Sequence, residues 1–232
     1  MIRNVGDAVT AIRLIRLGGP TSKSLEKLHR HMSIAKYSMS FTTGALLHRE
    51  SIVVAELFNE LADWSAVRDS VVSENRLQMR TLNASKRVYR EVASRLKQLI
   101  PLELEILVDG AQQDQRHILW LAICKRYRFI YDFAVEVVRE KFLRLDLTLS
   151  YAEYDSYYNA KAEWHPEVER ATPATREKQR QTIFRMMHEA DLLTADHRIL
   201  PTLLSPRVVD GIRGDSANHF AIFPVSPAEA MR

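Results

Sequence analysis

Apolar residues recur every three or four positions along most of the chain, and that period predicts helices. Leu47, Val54, Leu57, Phe58 and Leu61 form one stripe between Gly44 and Ala62. The segment A-D-W-S interrupts it, with Ser65 as the cap of a short helix to Val72 and Trp64 as a core wedge. Val88, Val92, Leu96 and Leu99 predict a longer helix from Ser85, closed at Pro101. Residues 102–110 read as a short helix stopped by Gly110. The run Q-R-H-I-L-W-L-A-I-C-K that follows is apolar nearly all round, the pattern of a buried helix. His117 and Cys124 lie in it and are expected in the core. Tyr127, Phe129, Ile130, Phe133, Val137 and Phe142 mark one long aromatic helix to Leu145.

The stretch around which the chain is organised runs from Glu169 to Leu200. Thr172 is a candidate N-cap, and Pro173 sits where a first helical residue tolerates proline, because its missing N–H has no partner there anyway. Ile183, Phe184, Met187 and Ala190 make an apolar stripe, and Thr175, Arg176, Lys178, Gln179 and Arg180 are assigned to the opposite face. D-L-L-T-A-D-H-R-I-L then reads as a hairpin, two short apolar runs about a polar A-D-H. The segment Leu147–Trp164 supplies a helix before it, and His165-Pro166 begins a short turn-helix. Together they predict a winged helix–turn–helix-like unit over residues 147–232, behind a helical domain over 37–146 and a basic N-terminal extension over 1–36. In such units the start of the second helix of the motif enters the DNA major groove, and Arg, Lys and Gln suit base edges and phosphates there. The plain alternative is a surface helix with solvated charges.

Only seven glycines in 232 residues favour helix over tight turns, so the fold class expected is mainly α with little β. The net charge of +4 is unevenly spread. Residues 1–36 hold seven Lys/Arg against Asp7 and Glu26, a balance of +5, which leaves −1 for the rest. The overall charge is therefore no argument that the folded body binds nucleic acid; only local clusters bear on that. Met32 offers an alternative start of translation, and a helix is expected from Ser24 to Ala35. A lone cysteine excludes an internal disulfide and fits a reducing, cytoplasmic setting. No apolar run approaches the ~20 residues that a membrane helix needs.

The densest positive stretch outside the extension runs from Arg76 to Lys97, seven basic residues against Glu91. Arg76 and Arg80, and Lys86 and Arg90, stand four apart and would share helix faces. Arg76, Arg80, Arg87 and Arg90 are candidates to meet phosphates, each neutralised phosphate adding salt-dependent affinity. Pairing with Glu103, Glu105, Asp109 and Asp114 is the competing reading. Farther on, S-P-R-V-V-D-G-I-R-G predicts a helix from Pro206, and H-F-A-I-F-P-V a strand or a docked tail. No phosphate loop, dinucleotide fingerprint, zinc motif or nucleophile elbow is present, so neither a catalytic residue nor a metal or cofactor is assigned, and a non-enzymatic binding protein is expected.

Several blocks resemble one known family. They are Y-S-M-S-F-T-T-G-A-L-L-H-R-E-S at Tyr37–Ser51, E-N-R-L-Q-M-R-T at Glu74–Thr81, S-R-L at Ser94–Leu96, I-C-K-R-Y-R-F-I-Y-D-F at Ile123–Phe133 and A-T-R-E-K-Q-R at Ala174–Arg180. In that order and spacing the chain resembles the BrxA proteins of BREX bacteriophage-exclusion systems. The resemblance implies a mainly helical protein that binds double-stranded DNA and works beside the other BREX components, among them a methyltransferase and an ATPase. A structural adaptor for those components, offering an aromatic patch at Tyr151–Tyr158, and an RNA-binding helical module are the other functions weighed.

Overall fold

The computed structural model describes residues 36–225, and those from Tyr37 onward belong to one compact unit. The basic extension as far as residue 35, with the Ser24–Ala35 helix and Met32, lies outside the described residues. Helices account for nearly all the regular structure, and no sheet forms among the described residues.

Before the first described helix runs a strap of irregular backbone, Tyr37–Leu47, with Gly44 at φ 70° and Leu47 at φ 56° leading into α1 (His48–Leu61). Helix α2 (Trp64–Ser73) is capped by Asp63, not Ser65: its carboxylate accepts from Ser65 N at 2.6 Å. Trp64 stacks on Phe58 at 4.0 Å. Residues 74–81 are a turn rather than a helix, because Asn75 and Gln78 take positive φ and the Asn75 amide closes on the backbone of Met79. Arg76 and Arg80 consequently share no helix face, contrary to their spacing. Helix α3 (Leu82–Leu96) begins three residues before Ser85, because the Thr81 hydroxyl accepts from Ala84 N. The three helices α1, α2 and α3 pack on one another.

Helix α4 (Pro101–Asp109) ends at Gly110, where an added Cβ would stand 2.3 Å from the Ile106 carbonyl oxygen. Helix α5 (Gln112–Arg126) is the axis of the fold. Every residue from His117 to Cys124 is buried, and α1, α3 and α4 pack around it together with later helices. Next come α6 (Arg128–Phe133), a π-helical stretch (Ala134–Arg139) and α7 (Glu140–Leu143), which make the long aromatic helix with one wide turn. Then follow α8 (Tyr151–Ala162), α9 (Pro166–Glu169), α10 (Pro173–Glu189) and α11 (Pro206–Asp215).

The segment expected as a strand or a docked tail is a 3-10 helix, Ala217–Ile222, packed on the body. Its Phe220 and Ile222, with Phe223 beyond it, bury themselves on the body, and Trp120 Nε1 donates to the Ile222 carbonyl at 3.0 Å. Packing against α5 outweighs the β propensity of the sequence.

Candidate nucleic-acid interface

Helices α8, α9 and α10 lie in succession, and a minimal hairpin follows. Thr194 N donates to Arg198 O at 2.9 Å, Leu193 bridges Ile199, and Thr148, just before α8, bridges Arg198. Leu149 N donates to His197 O and Ile199 N to Leu147 O, so three short segments meet without forming a sheet. Thr172 caps α10 through its hydroxyl, and Pro173 follows it.

The inner face of α10 comprises Gln179, Thr182, Ile183, Met186 and Met187, all buried. That phase decides what the helix can offer to a ligand. Gln179, assigned from the sequence to the polar face, is 1% exposed and donates its amide to the Met39 carbonyl at 2.9 Å. Arg176 and Arg180 both reach Asp155 on α8. Arg176 also donates to Asn159 at 2.7 Å and lies over the Tyr158 ring, and Arg180 lies over Tyr151. Thr175 is exposed with its hydroxyl against that of Thr172, and Lys178 is exposed. Of the five predicted residues on α10, only Thr175 and Lys178 therefore face solvent openly. The outward stripe is Lys178, Gln181, Arg185 and His188, spaced three, four and three apart. Arg198 on the hairpin is exposed and makes no ion pair among the described residues. Continuing the Ile183–Met187 stripe backwards by four places Gln179 inside, so the correct phase was present in the sequence.

The second cluster divides similarly. Arg95 is 1% exposed and internal: it pairs with Glu91 at 2.8 Å and donates to the Thr43, Ala45 and Leu46 carbonyls. Tyr127 donates to the same Glu91 at 2.6 Å, and burial followed by this bond pushes its phenol far above the ordinary range. Arg76 is exposed and pairs with Glu74. Arg80, Lys86, Arg87, Arg90 and Lys97 are exposed and make no ion pair among the described residues. Of the acids proposed as their partners, Glu103 pairs with Lys125 and Asp109 with Arg207. A groove of about 670 Å³ between α2 and α3 is bordered by Arg68, Lys86, Arg90 and Lys97, the last over the Trp64 ring.

The other sequence candidates resolve into core. Tyr154, Tyr157 and Tyr158 are buried and only Tyr151 is partly exposed, so the aromatic patch expected of an adaptor is internal. Burial raises the Cys124 thiol well above its usual range and lowers the His117 imidazole. Among the described residues no group of three or more His, Cys, Asp or Glu is placed to hold a metal ion. No helix among them is long and apolar enough to cross a membrane.

Comparison with known proteins agrees with the sequence blocks. The BREX protein BrxA of Escherichia coli O9:H4 (strain HS) is 23% identical over 155 residues, 67% of this chain and 73% of that protein. The BREX protein BrxA of Bacillus cereus (strain H3081.97) is 27% identical over 180 residues, 76% of this chain and 90% of that protein. The crystal structure of an uncharacterized protein from Magnetospirillum magneticum shares the fold with a TM-score of 0.69, at 21% identity over 82% of this chain and 98% of that one. The family model of BrxA matches residues 35–215, and the chain belongs to the BrxA family.

Proposed function

We propose that this chain is a non-enzymatic, DNA-binding accessory component of a BREX phage-defence system, acting in the cytoplasm beside the system's methyltransferase and ATPase. The observation that carries the DNA reading is the outer stripe of α10. Lys178, Gln181, Arg185 and His188 face solvent from a helix whose other side is locked into the core, with the hairpin and its Arg198 directly after it. We take this unit as a winged helix–turn–helix, in which a rigidly held helix meets base edges and a wing meets the neighbouring backbone. Lys86, Arg87 and Arg90 of α3, which make no ion pair among the described residues, support a second positive surface.

Fluorescence anisotropy of a labelled duplex at two salt concentrations tests the reading. Salt-sensitive binding by the full chain is expected, weakened by Lys178→Glu/Arg185→Glu with the thermal midpoint unchanged. Wild-type affinity in that double variant would remove α10 from the interface. An unlabelled RNA duplex that competes better than the same concentration of unlabelled DNA would turn the assignment to RNA.

A further inference from the structure

Resting on the DNA reading above, we infer that the chain has two separate duplex-binding faces, on α3 and on α10, and bridges two DNA segments. Arg95, on the buried side of α3, donates to the Ala45 carbonyl at 2.7 Å and reaches those of Thr43 and Leu46. Gln179, on the buried side of α10, donates to the Met39 carbonyl of the same strap at 2.9 Å, and Leu46 N donates to Glu189 at the end of α10. Helix α5 also packs against both helices. Two helices that turn their buried sides to one intervening segment present their exposed sides in diverging directions.

Those exposed sides carry the cations: Lys86, Arg87 and Arg90 on α3 and Lys178 on α10, which make no ion pair among the described residues, and Arg185 on α10. Arg185 has only a long 3.6 Å contact to Glu189. On α3 the cations surround the amide of Asn83, with no acid among the exposed positions of that helix; on α10 Gln181 stands between Lys178 and Arg185 with its amide on Glu177, so Lys178 and Arg185 are the groups there that suit phosphate. Duplex DNA is stiff, with a persistence length of about 150 base pairs, so a short segment lying on one face does not fold round the body to the other. Two faces that diverge therefore serve two segments.

The test mixes two duplexes of about two helical turns, one carrying a donor dye and one an acceptor, with the full-length wild-type chain. Energy transfer is expected at sub-saturating protein, rising and then falling as excess protein gives every duplex its own copy. Arg87→Glu/Arg90→Glu and Lys178→Glu/Arg185→Glu should each still bind by anisotropy, with one duplex per chain in place of two and a salt slope set by the remaining face alone, and each should lose the transfer. Binding without transfer at any ratio overturns bridging and leaves the DNA reading standing. Full transfer in either variant also overturns it, since a dimer with one face per copy would then be the bridge. Absence of binding in the wild type removes the DNA reading itself.

Discussion

Asp155 on α8 accepts a hydrogen bond from Arg180 on α10 at 2.6 Å, and the same carboxylate takes Arg176 at 3.2 Å. One acid thus holds the leading half of the helix that was expected to present both arginines to DNA. The pairs are about two-thirds or more covered, with side-chain exposures of 28% and 22% for the arginines against 32% for Asp155. Such pairs contribute about 1 kcal/mol after screening. Asp155→Ala should therefore lower the thermal midpoint by about 2–4 °C in a chain of this size. Arg176→Ala/Arg180→Ala should do the same and leave the salt slope of DNA binding intact. A slope smaller by about 2 in the arginine variant alone would mean that the arginines leave Asp155 for phosphates.

Arg95 is a different kind of ion. It lies in the core with Glu91, and its remaining donors meet backbone carbonyls of the strap. Removing one partner of a buried pair leaves a charge without water or counter-charge, which costs about 3–5 kcal/mol. Urea denaturation of Arg95→Ala should show a loss of that size. Glu91→Gln/Arg95→Met, which removes both charges and keeps an acceptor for Tyr127, should recover part of it. A loss under about 1 kcal/mol in Arg95→Ala would show that the strap does not depend on this anchor.

Helix order was legible because amphipathic stripes and end signals are local: Pro101, Gly110, Thr172 and Pro206 each act within a few residues of where they stand. The assignments that depended on distant partners were not. Nothing near Gln179 in sequence announces that the Met39 carbonyl needs its amide, although the helical period does turn it inward. Nothing near Arg176 announces Asp155, which reaches it from another helix. Phe220 and Ile222 carry strand propensity, and only the surface of α5 that receives them decides for a 3-10 helix. Asn75 broke the expected Arg76–Arg80 helix by a left-handed turn that a helical reading of charge spacing passes over.

Glu103 makes a pH-dependent contribution to stability. It is fully buried beneath Lys125 and Ile100 N, and desolvation raises its carboxyl above the usual value, although both partners pull it down. An acid whose folded pKa is raised binds its proton more tightly folded than unfolded. The stability from that proton is present below the unfolded pKa and is lost as pH rises through the folded one. Glu103→Gln should accordingly gain stability relative to wild type as pH is raised from the ordinary carboxylate value of about 4.3 towards neutrality, since Lys125 keeps Asp215 at 2.7 Å as its partner. Urea midpoints of both proteins at the two ends of that window check it. A difference between them that does not change with pH would show that Glu103 titrates alike in both states.

Gln179 and Gln181 stand two residues apart on α10 and face opposite ways, so substituting each asks a separate question. Gln179→Ala strands the Met39 carbonyl and should cost about 1–3 kcal/mol of folding stability, with DNA affinity per folded molecule unchanged. Gln181→Ala removes an exposed amide that, among the described residues, bonds only Glu177 of its own helix, and its stability should stay within about 0.5 kcal/mol of wild type. Its signature should be in binding. If α10 meets base edges, losing the amide costs preference for a cognate sequence by about 1–3 kcal/mol and leaves the salt slope unchanged, because no phosphate contact is lost. Lys178→Ala would show the opposite pattern, weakening all sequences alike and lowering the slope by about 1. Equal loss on every sequence for Gln181→Ala and Lys178→Ala would place α10 on the backbone alone, as a non-specific clamp.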